Sequence, residues 1–389
     1  VGLVGERVDG GDFAAQALAA GAWGVLVAPE HAGAAPAGGG VVLAAADPLA
    51  ALQRLATAWR RALGCAVIGI TGSTGKTSTK DLLRGMLEPY RRVVATEQNL
   101  NTEIGVPLTI LGAPEGTEVL VLEMAMRGRE QIAELTRIAE PDVGVLVNVG
   151  PVHLELLGSL EAIAATKAEL VRDLPAHGTA VLPAQEPLLD PHRRADLRTV
   201  TFGPGGDVDR LPEQLTIPFG SAHMRTNALA ALAAARAIGV EPAGAVRVSL
   251  SRLRGERIAL ADGLVVVNDC YNANPMSMRA ALDDLAETAS ARRVAVLGDM
   301  LELGPDERRF HEQLGAQAHA AGVDVLVTVG PRAALAGPVY GGETHAVGTA
   351  AEAAELLPRL VRAGDTVLVK ASRGVGLELV AEALEQARG

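Results

Sequence analysis

The chain is poor in aromatic residues, which make up 2% of its 389 positions. A core of stacked rings is thereby excluded. The filling must come from Val, Ile, Leu and Ala, a mixture that suits helices packed on sheets. Cysteine is scarce too: Cys65 and Cys270 lie far apart, and neither has a CxxC partner. No disulfide framework is expected, and a reducing, cytoplasmic location fits best. The net charge is -11, and no stripe of Lys and Arg interrupts it. A nucleic-acid partner would need such a stripe to displace counterions, so none is expected. No apolar stretch is long enough to span a membrane and no secretory leader pattern opens the chain, so no membrane insertion is expected. A leading methionine is also lacking, and with Val1 in its place the expectation is a processed or truncated form.

What is present is apolar: 49% of the residues. That supports a large core, and the length allows two or three domains. Residues 13–22 read as a helix, 23–27 as a short buried strand, 38–40 as a glycine loop and 48–63 as a second helix. Buried-strand candidates follow at 66–70, 119–122, 143–147, 264–267, 294–297, 325–329 and 366–369. They are short and β-branched, with helical stretches between most of them. The class is therefore α/β, with parallel sheets covered by helices on both faces. Residues 183–222 break the rhythm: Pro, Gly and Asp are frequent, and no strand reads clearly. An alanine-rich helix is expected at 227–239. Composition shifts again near 251–257, where a second nucleotide-type domain begins. The expected units are residues 1–60, 61–252 and 253–389.

The strand at 66–70 runs into Thr71-Gly72-Ser73-Thr74-Gly75-Lys76-Thr77-Ser78, and a helix follows at once. Glycines let backbone N–H groups turn toward a phosphate, Lys76 adds positive charge, and Thr77 can hold magnesium. The helix N-terminus adds positive potential. Ile70 stands where the strict pattern has a glycine, so the loop is a variant.

Glu123 ends the strand at 119–122, and His153 follows the strand at 143–147. Ligands gather at the carboxyl ends of strands in open α/β sheets, so both are expected near the phosphate loop as magnesium ligands. Lys167 interrupts the apolar stripe Leu160, Ile163, Leu170, Val171, Leu174 on a helix capped by Ser159 and expected over 160–174. Snorkelling to water, chemical modification and neutralisation of a bound anion all remain open for it.

These motifs, with others along the chain, resemble the Mur ligases. The similarity runs through GERVDGGDF (5–13), ITGSTGKTSTK (70–80), NLNTEIGVPLT (99–109), LEMAMRG (122–128) and NVGPVHLELLGS (148–159). It continues with TKAEL (166–170), NALAA (227–231), NDCYNANPMSM (268–278), AVLGDMLELG (295–304) and VKASR (369–373). The phosphate loop and the Glu–His–Lys set are shared across the family and its folylpolyglutamate synthase relatives. NDCYNANP and LGDMLELG point to the branch that adds D-alanyl-D-alanine.

The resemblance implies three domains: a uridine-nucleotide domain, incomplete at its start here, a central ATPase with a mostly parallel sheet, and a Rossmann-like domain. It implies an ATP-dependent ligase that joins D-alanyl-D-alanine to a UDP-N-acetylmuramoyl tripeptide through an acyl phosphate, in a monomer using ATP and Mg²⁺. Lys76, Glu123, His153 and Lys167 take the catalytic positions. Gly72 to Ser78, Asn227, Arg257 and Asp269 are the nucleotide positions. Thr77, Glu123, His153 and a carbamylated Lys167 are the metal positions. Asn99, Asn101, Asn272, Asn274, Lys370, Ser372 and Arg373 are the expected substrate contacts. The family's Ser/Thr-Asp-Ser/Thr-Arg segment would precede GERVDG, and without it uridine-substrate binding is expected to be weak. The stretch 202–223 is short for the family. Ala125, Glu130 and Ala371 replace family glycines, and Gly11 replaces a histidine. The competing expectations are a related ligase for another amino acid and a non-catalytic nucleotide-binding relative.

Overall fold

The structure, a computed structural model, describes residues 1–33 and 40–388. Gly38 and Gly39 of the expected glycine loop lie outside the described residues. A small parallel pair joins β1 (Gly24–Val27) to β2 (Val41–Ala44). The helix before it covers Ala14–Ala19, shorter than expected. Gly21 adopts φ +96°, and the N–H groups of Gly21 and Ala22 turn back to the carbonyls of Leu18 and Ala17. This Schellman motif satisfies the last carbonyls and stops the helix. The helix Pro48–Leu63 has the expected bounds: Asp47 Oδ1 accepts from Ala50 N at 2.9 Å, and Gly64 closes it in the left-handed region.

Six strands follow: β3 (Ala66–Thr71), β4 (Val93–Ala95), β5 (Val119–Glu123), β6 (Val143–Leu146), β7 (Thr179–Pro183) and β8 (Arg198–Phe202). They form an all-parallel sheet in the order β4-β5-β3-β6-β7-β8. Alternate residues of β5 serve opposite faces. Leu120 and Leu122 pack with Ile132 and Leu135 on one side, while Val119 and Val121 pack with Leu82 and Leu83 on the other. A strand buried on both faces reads as one continuous apolar run, which is why β3, β5 and β6 stand out in the sequence. β8 corrects the reading of 183–222 as strandless. It is an edge strand, its residues are mostly half-buried, and Thr199 and Thr201 give it no apolar run. The helix expected over 160–174 is also corrected: it breaks at Ala168 into Leu160–Lys167 and Glu169–Arg172. The Thr166 hydroxyl bonds back to the Ala162 carbonyl at 2.8 Å, a contact that bends helices. Glu169 turns instead to accept from Glu130 N and Ala133 N at the start of the neighbouring helix Gln131–Ala139.

A second small pair, β9 (Leu215–Thr216) with β10 (Gly244–Ala245), flanks the helix Ala222–Ala237. That helix starts five residues earlier than expected. Its alanines from Ala228 to Ala235 are buried all round, and the helix packs against the helix Lys76–Leu87 that follows the phosphate loop.

The last sheet contains β11 (Glu256–Ala259), β12 (Val265–Asn268), β13 (Arg293–Gly298), β14 (Val325–Val329), β15 (Glu343–Val347) and β16 (Thr366–Lys370). Its order is β11-β12-β16-β13-β14-β15. All pairs are parallel except β11 with β12, an antiparallel edge that departs from the expected parallel pattern. β11 alternates between half-buried and exposed residues, as an edge strand does.

The segment entering this sheet is tied to the phosphate-loop helix. Asp81 Oδ2 accepts from Ser251 N at 2.9 Å, and Asp81 Oδ1 lies 2.9 Å from the buried Lys80 amine. Lys80 in turn donates to the Thr96 carbonyl at 2.7 Å. Gly85 lets the backbone of Arg247 lie against the same helix, since a Cβ there would overlap the Arg247 carbonyl oxygen. Gly85→Ala is therefore expected to destabilise the protein by about 1–3 kcal/mol, measured by urea unfolding. An unchanged unfolding midpoint would show that this packing yields freely.

Candidate active site

The carboxyl ends of β3, β5 and β6 border one cavity of about 890 Å³, and the ends of β12 and β16 border it from the facing sheet. Gly72 to Ser78 form its floor. Gly75 has φ +75° and starts the helix Lys76–Leu87, and a Cβ there would meet the Asn227 amide at 2.6 Å. Only glycine meets both demands. The loop is stapled by Asn148, whose Oδ1 accepts from Ser73 N (3.1 Å) and Thr74 N (2.9 Å). Asn148 Nδ2 donates to the Thr74 carbonyl at 3.2 Å and the Thr74 hydroxyl at 3.1 Å. The Ser73 hydroxyl bridges to the backbone of Gly150. Two loop N–H groups are thus already engaged. The first N–H groups of the following helix have no intrahelical acceptor and are the donors suited to an anion.

Glu123 ends β5, almost wholly buried. Its Oε2 accepts from the Thr77 hydroxyl and its Oε1 from Asn101 Nδ2, both at 2.8 Å. Its own N–H donates to the Thr96 hydroxyl at 3.0 Å. Burial favours its neutral form, but the charges of Lys76 and Arg254 and the bonds from Asn101 and Thr77 outweigh it and hold the carboxyl below its usual range. Lys76 donates to the Gly72 carbonyl at 2.9 Å. Burial lowers its pKa, the Glu123 charge opposes that, and Arg254 adds to it.

Lys167 is 3% exposed and lines the cavity. Among the described residues no carboxylate or hydrogen-bond acceptor pairs with its amine. Burial, with the Lys76 charge nearby, pushes its pKa well below the ordinary lysine value. His153 also lines the cavity, in the left-handed region at φ +53°. Its Nδ1 lies 2.6 Å from Glu302 Oε2, in the loop after β13. Burial holds the imidazole below its ordinary pKa, against the raising effect of Glu302. This contact joins the two large sheets' domains.

On the facing sheet, Lys370 Nζ donates to Asp269 Oδ2 at 2.6 Å and to the Asn272 carbonyl at 2.9 Å. Arg257 is paired with Asp284 at 2.6 Å and with the Thr288 hydroxyl at 2.7 Å. Asn274 caps the helix Pro275–Thr288, its side chain accepting from Ser277 N. The cavity gathers Asn99, Asn101, Asn227, Arg257, Asp269, Asn272, Asn274 and Lys370 around the phosphate loop. Ser372 and Arg373 do not line it: Ser372 accepts from Leu301 N, and Arg373 pairs with Glu378. Glu130, which stands in place of a glycine, keeps a glycine-like φ of +63° while its carboxylate pairs with Arg172.

Sequence reasoning missed Asn148 as the loop staple, the Lys80–Asp81 pair and Arg254. Arg254 lines the cavity with its guanidinium 3.7 Å above the Tyr271 ring. The RLRGER run was the only signal for it.

Comparison with known proteins agrees with this architecture. The Mur ligase middle domain matches residues 70–217, and the Mur ligase glutamate ligase domain matches residues 253–373. The chain is 37% identical to the UDP-N-acetylmuramoyl-tripeptide–D-alanyl-D-alanine ligase of Bacillus subtilis, over 98% of this chain and 89% of the relative. It is 31% identical to the ligase of the same name from Escherichia coli, over 99% of this chain and 90% of the relative. A crystal structure of MurF from Acinetobacter baumannii superposes with a TM-score of 0.86 at 31% identity, covering 99% of this chain and 90% of that one. MurF ligase from Thermotoga maritima in complex with ADP does so at 0.83 and 30% identity, covering 99% and 93%. By its sequence over nearly full length, its two domain matches and its three-part architecture, the chain belongs to the Mur ligase family.

Proposed function

We propose that this chain joins D-alanyl-D-alanine to UDP-N-acetylmuramoyl-tripeptide at the expense of ATP, in peptidoglycan precursor synthesis. The observation that carries this reading is a phosphate loop facing the Asp269–Asn274 segment across one cavity, in a chain similar over 98% of its length to ligases of that activity. The ADP-bound neighbour supports a nucleotide on the loop. Among the described residues no helix is long and apolar enough to cross a membrane.

An amide cannot form from a free carboxylate in water without activation. The tripeptide carboxylate oxygen attacks the γ-phosphorus of ATP, the bond to the β-phosphate oxygen breaks, and ADP and an acyl phosphate result. The free amine of D-alanyl-D-alanine then attacks the acyl carbon. The C–O bond to phosphate breaks, and the surplus amine proton passes to phosphate or water. Lys76 at the end of the loop neutralises charge on the transferring group. Asn99, Asn101, Asn272, Asn274 and Lys370 stand where they can position the two substrates, with Asn227 against the nucleotide and Arg257 and Asp269 facing it. Closure of the last domain over the nucleotide would exclude water that hydrolyses the acyl phosphate.

Magnesium fits the residues present. Among the described residues no group of three or more His, Cys, Asp or Glu converges on one point, and magnesium bound to nucleotide needs only one or two carboxylates beside the phosphates. The anionic Glu123 and the Thr77 hydroxyl, 2.8 Å apart, would hold it. His153 would offer Nε2, since its Nδ1 is turned to a carboxylate as in many metal-bound imidazoles. When bound, magnesium neutralises phosphate charge. Lys167 suits carbamylation: a buried side chain on the cavity wall, its amine without a carboxylate partner and its pKa pushed well below the ordinary lysine value by burial, would attack carbon dioxide in its unprotonated form, and the product would be an anionic ligand.

Phosphate release from ATP is expected with the muramoyl tripeptide and D-alanyl-D-alanine together. Equal turnover with any other amino acid or dipeptide in place of D-alanyl-D-alanine would overturn the assignment. Lys76→Ala is expected to lower turnover roughly 10²–10³-fold at saturating ATP, and a loss of roughly tenfold or less would remove Lys76 from the proposed role. Lys167→Ala is expected to be inactive and to regain activity with acetate, which supplies the missing carboxylate. Near-wild-type turnover without acetate would refute the carbamate.

A further inference from the structure

The segment between β6 and the helix Leu160–Lys167 is held from two sides. Within the central domain, Asn148 staples the phosphate loop and the backbone of Gly150 meets the Ser73 hydroxyl. The last domain touches the same segment at Gly150, His153 and Glu155. A Cβ on Gly150 would overlap the sulfur of Met276, in the helix Pro275–Thr288. Glu302 Oε2, in the loop after β13, lies 2.6 Å from His153 Nδ1. Two residues on, Gly304 packs on the backbone of Glu155, where a Cβ would stand 3.3 Å from Glu155 Cα.

The loop that carries Glu302 is fixed in one shape. Asp299 Oδ1 accepts from Arg332 N at 3.0 Å and from Ala333 N at 2.7 Å. Met300 N donates to Nε2 of the wholly buried His311 at 3.0 Å, and His311 Nδ1 lies 2.7 Å from the Glu307 carbonyl. Leu301 N donates to the Ser372 hydroxyl at 2.9 Å, and Met300 and Leu303 are buried. Glu302 itself has φ +61°, and His153 opposite has φ +53°. Residues with a Cβ seldom adopt this left-handed backbone, and they stay there when the surrounding contacts over-determine it. A carboxylate oxygen only accepts, so His153 Nδ1 carries the hydrogen of their bond. In the neutral ring Nε2 then keeps its lone pair. His153 lines the cavity and Glu302 does not, so the carboxylate holds the ring from outside the site.

We propose that Glu302 is a positioning residue supplied by the last domain: it fixes the tautomer and plane of His153 so that Nε2 faces a divalent cation, and cation affinity therefore depends on how the last domain is seated. This rests on the metal position proposed above for His153. A partner on the second ring nitrogen commonly orients a metal-binding imidazole and raises its basicity. Here that partner and the imidazole belong to different domains. Met276 on Gly150 and Gly304 on Glu155 set the distance between them, and the rigid loop at 299–304 aims the carboxylate. Glu302 acts only through His153.

Mn²⁺ titrated into the full chain with ADP, with free Mn²⁺ followed by electron paramagnetic resonance, tests this. Glu302→Ala is expected to lose roughly 10–100-fold in Mn²⁺ affinity. It should bind ADP without metal as the wild type does, measured by calorimetry, which also shows that it folds. Glu302→Gln should lose less, because its amide oxygen can still accept from Nδ1–H. His153→Ala with Glu302→Ala should be no weaker than His153→Ala alone, since the two act as one unit. In ¹⁵N-histidine-labelled protein, the His153 signals should report the Nδ1–H tautomer in the wild type and a shift toward Nε2–H in Glu302→Ala. Unchanged Mn²⁺ affinity in Glu302→Ala, additive losses in the double variant, or an equal loss of metal-free ADP binding would each overturn the proposal. Unchanged Mn²⁺ affinity in His153→Ala would strike the metal position of His153 and the role of Glu302 with it. A failure of the muramoyl tripeptide to support turnover in the wild type would strike the ligase reading and leave the Mn²⁺ test standing.

Discussion

A buried carboxylate organises the centre of this molecule. Glu123 is held ionised at the end of β5 because Lys76, Arg254, Thr77 and Asn101 together outweigh the cost of its burial. From it a chain of contacts runs through the structure. Its N–H meets the Thr96 hydroxyl, the Thr96 carbonyl accepts from Lys80, Lys80 pairs with Asp81, and Asp81 holds Ser251 at the entry to the last domain. Phosphate loop, central sheet and interdomain segment therefore share one polar network. Such networks are costly to leave half-satisfied, which ties the conformation of the linker to that of the site.

The two sheets divide the work by topology. In each, strand ends supply the polar groups, since only there can side chains leave a fully apolar interior. The central sheet offers Glu123 and the stapled loop. The other offers Asp269, Lys370 and the asparagines that follow β12. Ser372 and Arg373, two and three residues past the end of β16, turn away to Leu301 and Glu378, so proximity in sequence to Lys370 did not carry them into the cavity.

Much of this was legible beforehand, and the reasons for the exceptions are physical. β3, β5, β6 and β14 are buried on both faces and leave unbroken apolar runs. β8 and β11 are edges, half-exposed and polar in part, and leave no such mark. Lys167 was visible because a charge on an apolar stripe is anomalous. The break after it was not, because it depends on the Thr166 hydroxyl and on where Glu169 finds partners. Asn148 and Arg254 are ordinary loop residues in sequence. Only the approach of distant segments makes one a staple and the other a cavity wall.

The Asp81–Ser251 tie has a mechanical consequence. It pins the chain to the phosphate-loop helix three residues before Arg254, a span of at most about 10 Å. Any rotation of the last domain about this point is a lever with unequal arms. Groups far along β12 and β16, such as Lys370, sweep a wide arc. Arg254, close to the fulcrum, sweeps a short one.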